Sequence, residues 1–310
     1  MHDHFLQFQR EKTALKYFLI GRNYHDALKA LGFAERYHVG LRKDGRTPEL
    51  HHQVQIALSV SQQKDLINEE LCLVGALLHD AQEDYQVPSE EIEVEFGKNV
   101  REVVWKLTKK FAGTIRNKND LIEAIAGDPH ASIIKGLDRV NNLHSMIGVF
   151  SPDKMFDYAE EAQLVFLPLL KKAGKLFPEQ QAAYHAISQQ MKQAIHYTFE
   201  FVKAIRKLRE TELQLTKNQD RLDSTLTELN VANNALVTLS QKAVVRPLEN
   251  KEAFRKALTT LLLTLQYVGQ SPREQIIGIK DLANKLRIEF GISELDLKEF
   301  SSVVTGPILP

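Results

Sequence analysis

The run Leu77-Leu78-His79-Asp80-Ala81-Gln82-Glu83-Asp84 sets one imidazole and three carboxylates directly after an apolar stretch. On one continuous helix, positions 79, 80, 83 and 84 fall within an arc of about 140°, so the four side chains share a face. Adjacent His and Asp at a helix end can both reach one cation. Imidazole plus carboxylate ligation suits Mn, Fe, Co, Ni or Zn better than Ca or Mg. A His-Asp pair taken alone is more often a surface pair or a helix cap.

Two further segments change that balance. Upstream lies Arg42-Lys43-Asp44-Gly45-Arg46-Thr47-Pro48-Glu49-Leu50-His51-His52, and downstream lies Ile133-Ile134-Lys135-Gly136-Leu137-Asp138-Arg139-Val140-Asn141-Asn142-Leu143. The order His … His-Asp … Asp on separate helices resembles the ligand set of the HD superfamily. The combination resembles, more narrowly, the hydrolase domain of the RelA/SpoT family and its small alarmone hydrolases. That family carries RKxG-TPYxxHP, ALLHDxxED, EFG and KLADRLHNM segments. This chain has RKDGRTPELHH, ALLHDAQED, EFGKNVREVVWKLTK and KGLDRVNNL in the same order at similar spacing. Tyr158-Ala159-Glu160-Glu161 with Val165-Phe166-Leu167-Pro168-Leu169 looks like the family's ET-x-x-x-Y-A-P-L helix, which brings the resemblance to about residues 35–175.

The resemblance implies a metal-dependent (p)ppGpp 3′-pyrophosphohydrolase. Its metal ligands would be His52, His79, Asp80 and Asp138, and the ion most expected is Mn²⁺. His52, rather than His51, falls where the family histidine sits; His51 is expected beside the site. Glu83 and Asp84 match the family's acid pair, which acts on the attacking water and the scissile pyrophosphate. Arg42 and Lys43 match the residues that meet base and phosphates, and Asn142 matches the asparagine near the ribose. The chemistry is consistent: a divalent ion acidifies water and polarises a phosphoryl oxygen, a carboxylate moves the proton, and Arg and Lys neutralise polyphosphate. His144, Lys109 and Lys110 are further candidates to face phosphates, though more often such residues are plain surface.

Five positions depart from the pattern. Gln53 replaces the proline after the first ligand histidine, and Glu49 replaces a tyrosine, setting a negative charge beside an anion site. Gly136 and Leu137 replace Leu-Ala before the last ligand, and Asn141 replaces a histidine. Two other readings therefore stay open: an HD phosphohydrolase of another nucleotide phosphate, and a non-catalytic nucleotide-sensing regulator.

The elements that must position these residues are helices, because helical apolar spacing dominates and Gly and Pro are scattered. Helices are predicted near 5–20, 24–35, 49–61, 65–80, 89–95, 97–110, 118–126, 131–147, 153–173 and from 178 onward. Ser89 is placed to cap a helix, with Glu90 and Glu91 in its first turn. The predicted class is all-α: an HD-domain helical bundle over residues 1–198, a long coiled-coil-like helix over 199–246 and a small helical C-terminal module over 247–310. In the long helix Phe201, Leu208, Leu215, Leu222, Leu229 and Leu236 recur every seven residues, joined by Ile205 and Leu226, while Glu212, Gln219 and Asn233 interrupt the companion positions. Such a stripe either packs on its own domain or forms a homo-oligomer seam.

Bulk properties exclude little else. Lys+Arg and Asp+Glu balance at 40 each in 310 residues, so no basic excess favours nucleic acid or an anionic membrane. The Leu261–Leu265 run is too short to span a bilayer. The N-terminus has no apolar core of signal-peptide length, and the lone Cys72, in an apolar run, reads as a small core residue of a reducing compartment. A cytoplasmic location and a nucleotide substrate are the expectations.

Overall fold

The computed structural model describes residues 2–245. The module expected over 247–310 lies outside the described residues. Among those described, helices α1 (His2–Gly21), α2 (His25–Tyr37), α3 (Leu50–Ser61), α4 (Glu69–Leu78), α5 (Ala81–Tyr85), α6 (Ser89–Phe96) and α7 (Lys98–Leu107) come first. A short antiparallel hairpin, β1 (Lys110–Phe111) and β2 (Thr114–Ile115), follows. Then come α8 (Lys118–Ala126), α9 (Pro129–Ser145), α10 (Pro152–Glu161), α11 (Leu167–Leu176) and α12 (Gln181–Val245). The all-helical reading holds. No described helix is long and apolar enough to cross a membrane.

α4 is the central element. Residues Cys72 to Leu78 are all buried, so it reads as a helix apolar all round and packs against α2, α3, α7 and α9. Asn68 caps its N-terminus by accepting from Leu71 N–H. Glu70 reaches across to accept from the Asp26 N–H at 2.9 Å, which supplies an acceptor for an orphan donor of α2. α9 begins as its sequence dictates: Asp128 accepts from the His130 and Ala131 N–H groups, and Pro129 fills the first helical position. Lys106 holds the other Asp128 oxygen at 2.7 Å, tying α7 to the start of α9.

Gly136 explains one sequence departure. A Cβ there would lie 2.9 Å from both Ile187 Cγ2 and Leu170 Cδ2, so α11 and α12 approach the α9 backbone too closely for a side chain. Gly136→Leu, the residue of the family pattern, is therefore expected to destabilise the domain by roughly 1–3 kcal/mol through overpacking. A urea unfolding midpoint that does not move would contradict this packing.

Three local expectations are corrected. Ser89 does not cap α6: Pro88 occupies the cap position, and Ser89 Oγ accepts from Gln82 Nε2 at 2.7 Å instead. The helix expected over 97–110 ends at Leu107 and gives way to the hairpin, whose two turn residues, Ala112 (φ 47°) and Gly113 (φ 79°), are both left-handed. The helix expected over 153–173 is interrupted by a π turn at Ala162–Phe166, where Leu167 N–H bonds to Ala162 carbonyl. Pro168, in the first turn of α11, has no N–H to continue the ladder, and the π turn accommodates it.

The long helix starts at Gln181, well before Phe199. The chain divides into two compact units, residues 1–209 and 210–310, and α12 runs through the boundary. Within the first unit the helix is used as core: Tyr184, Ile187, Met191, Ala194, Ile195 and Val202 are buried, Phe199 packs on Phe156, and Arg206 pairs with Asp153. The apolar stripe beyond is solvent-exposed, with Leu208 at 59%, Leu215 at 63%, Leu222 at 55% and Leu229 at 42%.

Candidate metal centre and active site

His52 on α3, Asp138 on α9, and His79 and Asp80 in the break between α4 and α5 converge. His52 Nε2 lies 3.2 Å from Asp138 Oδ1 and 3.9 Å from Asp80 Oδ2. His79 Nε2 lies 3.0 Å from Asp80 Oδ2 and 4.0 Å from Asp138 Oδ1. His52, His79 and Asp80 each present one ligand atom within 4.8 Å of the others. The two imidazoles and Asp138 are buried, while the Asp80 side chain keeps 29% of its surface.

The local chain path differs from a single helix face. α4 ends at Leu78, and the Ala76 carbonyl, one of its terminal acceptors, takes a hydrogen bond from His79 Nδ1 at 2.8 Å. That contact leaves His79 Nε2 as the atom facing the carboxylates, buried and without a hydrogen-bond partner. An orphaned imidazole nitrogen beside two carboxylates is a fitting donor set for a first-row divalent ion.

The electrostatics agree. Burial alone would lower the His79 pKa, but the neighbouring Asp80 carboxylate prevails and lifts it to about 9. Burial would raise the Asp138 carboxyl, but Lys135, whose Nζ lies 2.7 Å from Oδ2, and the two histidines hold it well below the usual range. The cluster thus holds a proton where a metal would bind. Divalent-ion binding at pH 7 is expected to displace about one proton, so apparent affinity should rise about tenfold per pH unit from 7 towards 9. Titration calorimetry in buffers of different ionisation enthalpy reads this directly; heats that ignore the buffer would count against it.

The candidate acids follow on α5. Glu83 Oε2 accepts the Lys109 N–H at 2.8 Å, so the hairpin fixes that carboxylate. Asp84 reaches the surface, yet desolvation of its carboxyl and then the charges of Asp80, Glu83 and Glu49 raise its pKa to about 6. Of the candidate substrate-binding residues, Arg42 and Asn142 are half-buried and Lys43 is exposed. Arg42 Nη2 donates to Asn142 Oδ1 at 3.4 Å, and Asn142 Nδ2 donates to Asp138 Oδ1 at 2.6 Å, so Asn142 links Arg42 to the cluster. Asp44 is exposed; some desolvation would raise its carboxyl, but hydrogen bonds from Thr47 and Arg46 hold it down to about 2 and shape the loop that carries Arg42 and Lys43.

His51 faces the other way: its Nε2 lies 2.7 Å from Glu11 Oε2 and its ring packs on Phe8. His144, Lys109 and Lys110 are exposed, and Cys72 is buried as expected. The Glu49 carboxylate accepts from Tyr85 hydroxyl at 2.5 Å, so a tyrosine from α5 tempers its charge. Sequence reasoning gave no role to Lys135, although its segment was in view, nor to Tyr85. It also gave none to Lys154, whose Nζ sits 4.0 Å from the Phe150 ring centroid on which Lys43 also converges at 5.7 Å. Lys154 lies four residues past that aromatic, outside the quoted segments.

Residues 30–176 match the HD domain model. The guanosine-3′,5′-bis(diphosphate) 3′-pyrophosphohydrolase of Aquifex aeolicus is 30% identical over 153 residues, 47% of this chain and 21% of that protein. The protein of the same name from Haemophilus influenzae is 31% identical over 145 residues, 44% of this chain and 21% of its own. The GTP pyrophosphokinase rsh of Brucella ovis is 29% identical over 154 residues, 47% and 20% of the two chains. This chain thus spans about a fifth of the length of the curated relatives it matches. On the match to the HD domain model and these likenesses, residues 30–176 are similar to the HD domains of the RelA/SpoT hydrolase kind.

Proposed function

We propose that this chain is a metal-dependent pyrophosphohydrolase of (p)ppGpp or a related alarmone, using Mn²⁺ held by His52, His79, Asp80 and Asp138. What supports the reading is the gathering of these four side chains, with Asp84 near enough to feel the Asp80 charge and Asn142 linking Arg42 to Asp138. A divalent ion there supplies Lewis acidity toward water and a phosphoryl oxygen. The protein's own residues do the rest. Arg42, Lys43 and Lys154 neutralise the polyphosphate, Arg42 by its planar fork and the lysines as point charges. Glu83, anchored by the hairpin, takes the proton of the attacking water. Attack falls on the phosphorus nearest the ribose, the bond to the 3′-oxygen breaks, and pyrophosphate is freed. Asp84, with a pKa near 6, is suited to return a proton to the departing 3′-oxygen.

Glu49 favours keeping a second substrate class, another phosphorylated nucleotide, because its carboxylate stands near Asp84 and adds negative charge beside the cluster. A panel of ppGpp, pppGpp, ppApp and 3′-phosphorylated mononucleotides, with products resolved by phosphorus NMR, separates the two. Pyrophosphate from the guanosine or adenosine alarmones supports the first reading; turnover of monophosphates alone supports the second.

The exposed stripe Leu208, Leu215, Leu222 and Leu229 supports pairing of α12 with a second copy of the chain. Replacing Leu215 and Leu222 by Glu is expected to convert a dimer into a monomer in light scattering, with the catalytic domain's metal affinity unchanged. A wild-type monomer at high micromolar concentration would remove the seam.

A further inference from the structure

Two departures from the family pattern, Gln53 and Asn141, touch the metal-ligand cluster directly. Gln53 is buried in α3, and its Nε2 donates to Asp80 Oδ2 at 3.2 Å. Asn141, on α9, accepts from His52 Nδ1 at 2.8 Å and donates through Nδ2 to Gln55 Oε1 at 3.0 Å. We propose that Gln53 and Asn141 are positioning residues, neutral amides that fix the orientation of one metal-ligating carboxylate and the tautomer of one metal-ligating imidazole. The inference rests on the reading of His52, His79, Asp80 and Asp138 as a metal site.

A neutral imidazole has one N–H and one bare lone pair, and the hydrogen bond at one nitrogen decides which is which. An asparagine amide can present either its oxygen or its nitrogen to a neighbour. Gln55 biases the choice, because its Oε1 engages the Asn141 nitrogen end at 3.0 Å. The Asn141 oxygen end therefore faces His52, Nδ1 carries the proton, and Nε2 turns its lone pair toward Asp80 and Asp138. His79 reaches the same state by a different device, the Ala76 carbonyl at its Nδ1. Asn141 with Gln55 is thus the counterpart, for the second imidazole, of a backbone acceptor for the first.

Gln53 acts on the least enclosed ligand. Asp80 follows the end of α4, serves as the uncapping start of α5 and keeps part of its side chain in solvent. Besides His79 Nε2 at 3.0 Å, the Gln53 amide at 3.2 Å is what holds its carboxylate. The Gln53 Oε1 is buried without a partner. A residue present only to fill space would be apolar there, since an unpaired buried acceptor is destabilising. The amide is explained by what its nitrogen end holds.

The test uses the full chain, freed of metal, with Mn²⁺ affinity measured by titration calorimetry and ligand geometry read from the visible spectrum of the Co²⁺ form. Asn141→Leu is expected to weaken Mn²⁺ binding by about 10–100-fold, the usual range for loss of a partner behind a ligand. Asn141→Asp, which keeps an acceptor for His52 Nδ1, should recover affinity to within a few-fold. Gln53→Leu should weaken binding in the same direction and alter the Co²⁺ spectrum, while metal-free melting stays level or rises. Gln55→Met, one residue removed from the ligands, frees the same amide to turn and covers the case in which Asn141→Leu fails to fold; it should give a smaller loss of the same sign. Wild-type affinity and an unaltered spectrum in the Gln53→Leu and Gln55→Met variants would overturn the proposal alone. A wild-type protein that binds neither ion, like an Asp80→Ala control, would overturn the metal reading and this proposal with it.

Discussion

Asp138→Asn is expected to abolish tight divalent-ion binding and to lower pyrophosphate release by on the order of 10⁴-fold, as for removal of one member of a group that acts as a unit. The charge balance at the cluster makes this the most damaging conservative change. Asp138 is buried, accepts from Lys135 at 2.7 Å and lies against His52 at 3.2 Å. Removing its charge leaves the Lys135 ammonium unpaired beside two imidazoles, with Asp80 as the remaining ligand carboxylate. The cluster then repels the cation it has to hold. An uncompensated buried charge also destabilises the fold, by roughly 3–5 kcal/mol, so the unfolding midpoint should fall in parallel. Lys135→Met in the same background should restore much of that stability and none of the activity, which separates the two effects. Unchanged Mn²⁺ affinity in Asp138→Asn would take Asp138 out of the ligand set.

Glu83→Gln is expected to cut turnover by about 10²–10⁴-fold while leaving metal affinity within a few-fold of wild type. The amide can still accept the Lys109 N–H through its carbonyl oxygen, so the hairpin stays anchored and the change is confined to proton transfer. Lys109 contributes only its backbone to that bond, so Lys109→Ala should leave the effect of Glu83 intact. A Glu83→Gln protein with full turnover would move the proton-transfer role to Asp84. Loss of metal in that variant would instead place Glu83 among the ligands.

The helices were legible because core helices announce themselves by apolar spacing, and α2, α3, α6 and α8 fall within a residue or two of the expected limits. What the spacing could not show is where a side chain outcompetes the backbone ladder. The imidazole of His79 occupies the Ala76 carbonyl, and the helix breaks there, so residues 79–84 do not share one continuous helix face. Pro168 was visible, but the π turn that accommodates it depends on how α10 and α11 pack. Ala112-Gly113 is an uncommon pair for a two-residue turn, and the hairpin went unread. The preference for His52 over His51 comes from the resemblance alone; in the structure the two rings take opposite directions. The amides behind the ligands were seen only as departures, because a hydrogen bond between residues about 90 positions apart leaves no trace in local pattern.

The heptad stripe shows the same limit. Phe201 is already 39% exposed, Ile205 packs against the domain core and the later leucines face solvent, and a period of seven is common to both situations. Burial, not periodicity, marks the change near Ile205.

The measurement that bears most directly on the central claim is pyrophosphate release from ppGpp by the purified chain, with and without Mn²⁺, beside the Asp80→Ala variant. Mn²⁺-dependent release that disappears in the variant is the predicted result. Release that persists without metal or in Asp80→Ala, or no release from ppGpp by a protein with Mn²⁺ bound, would contradict the account.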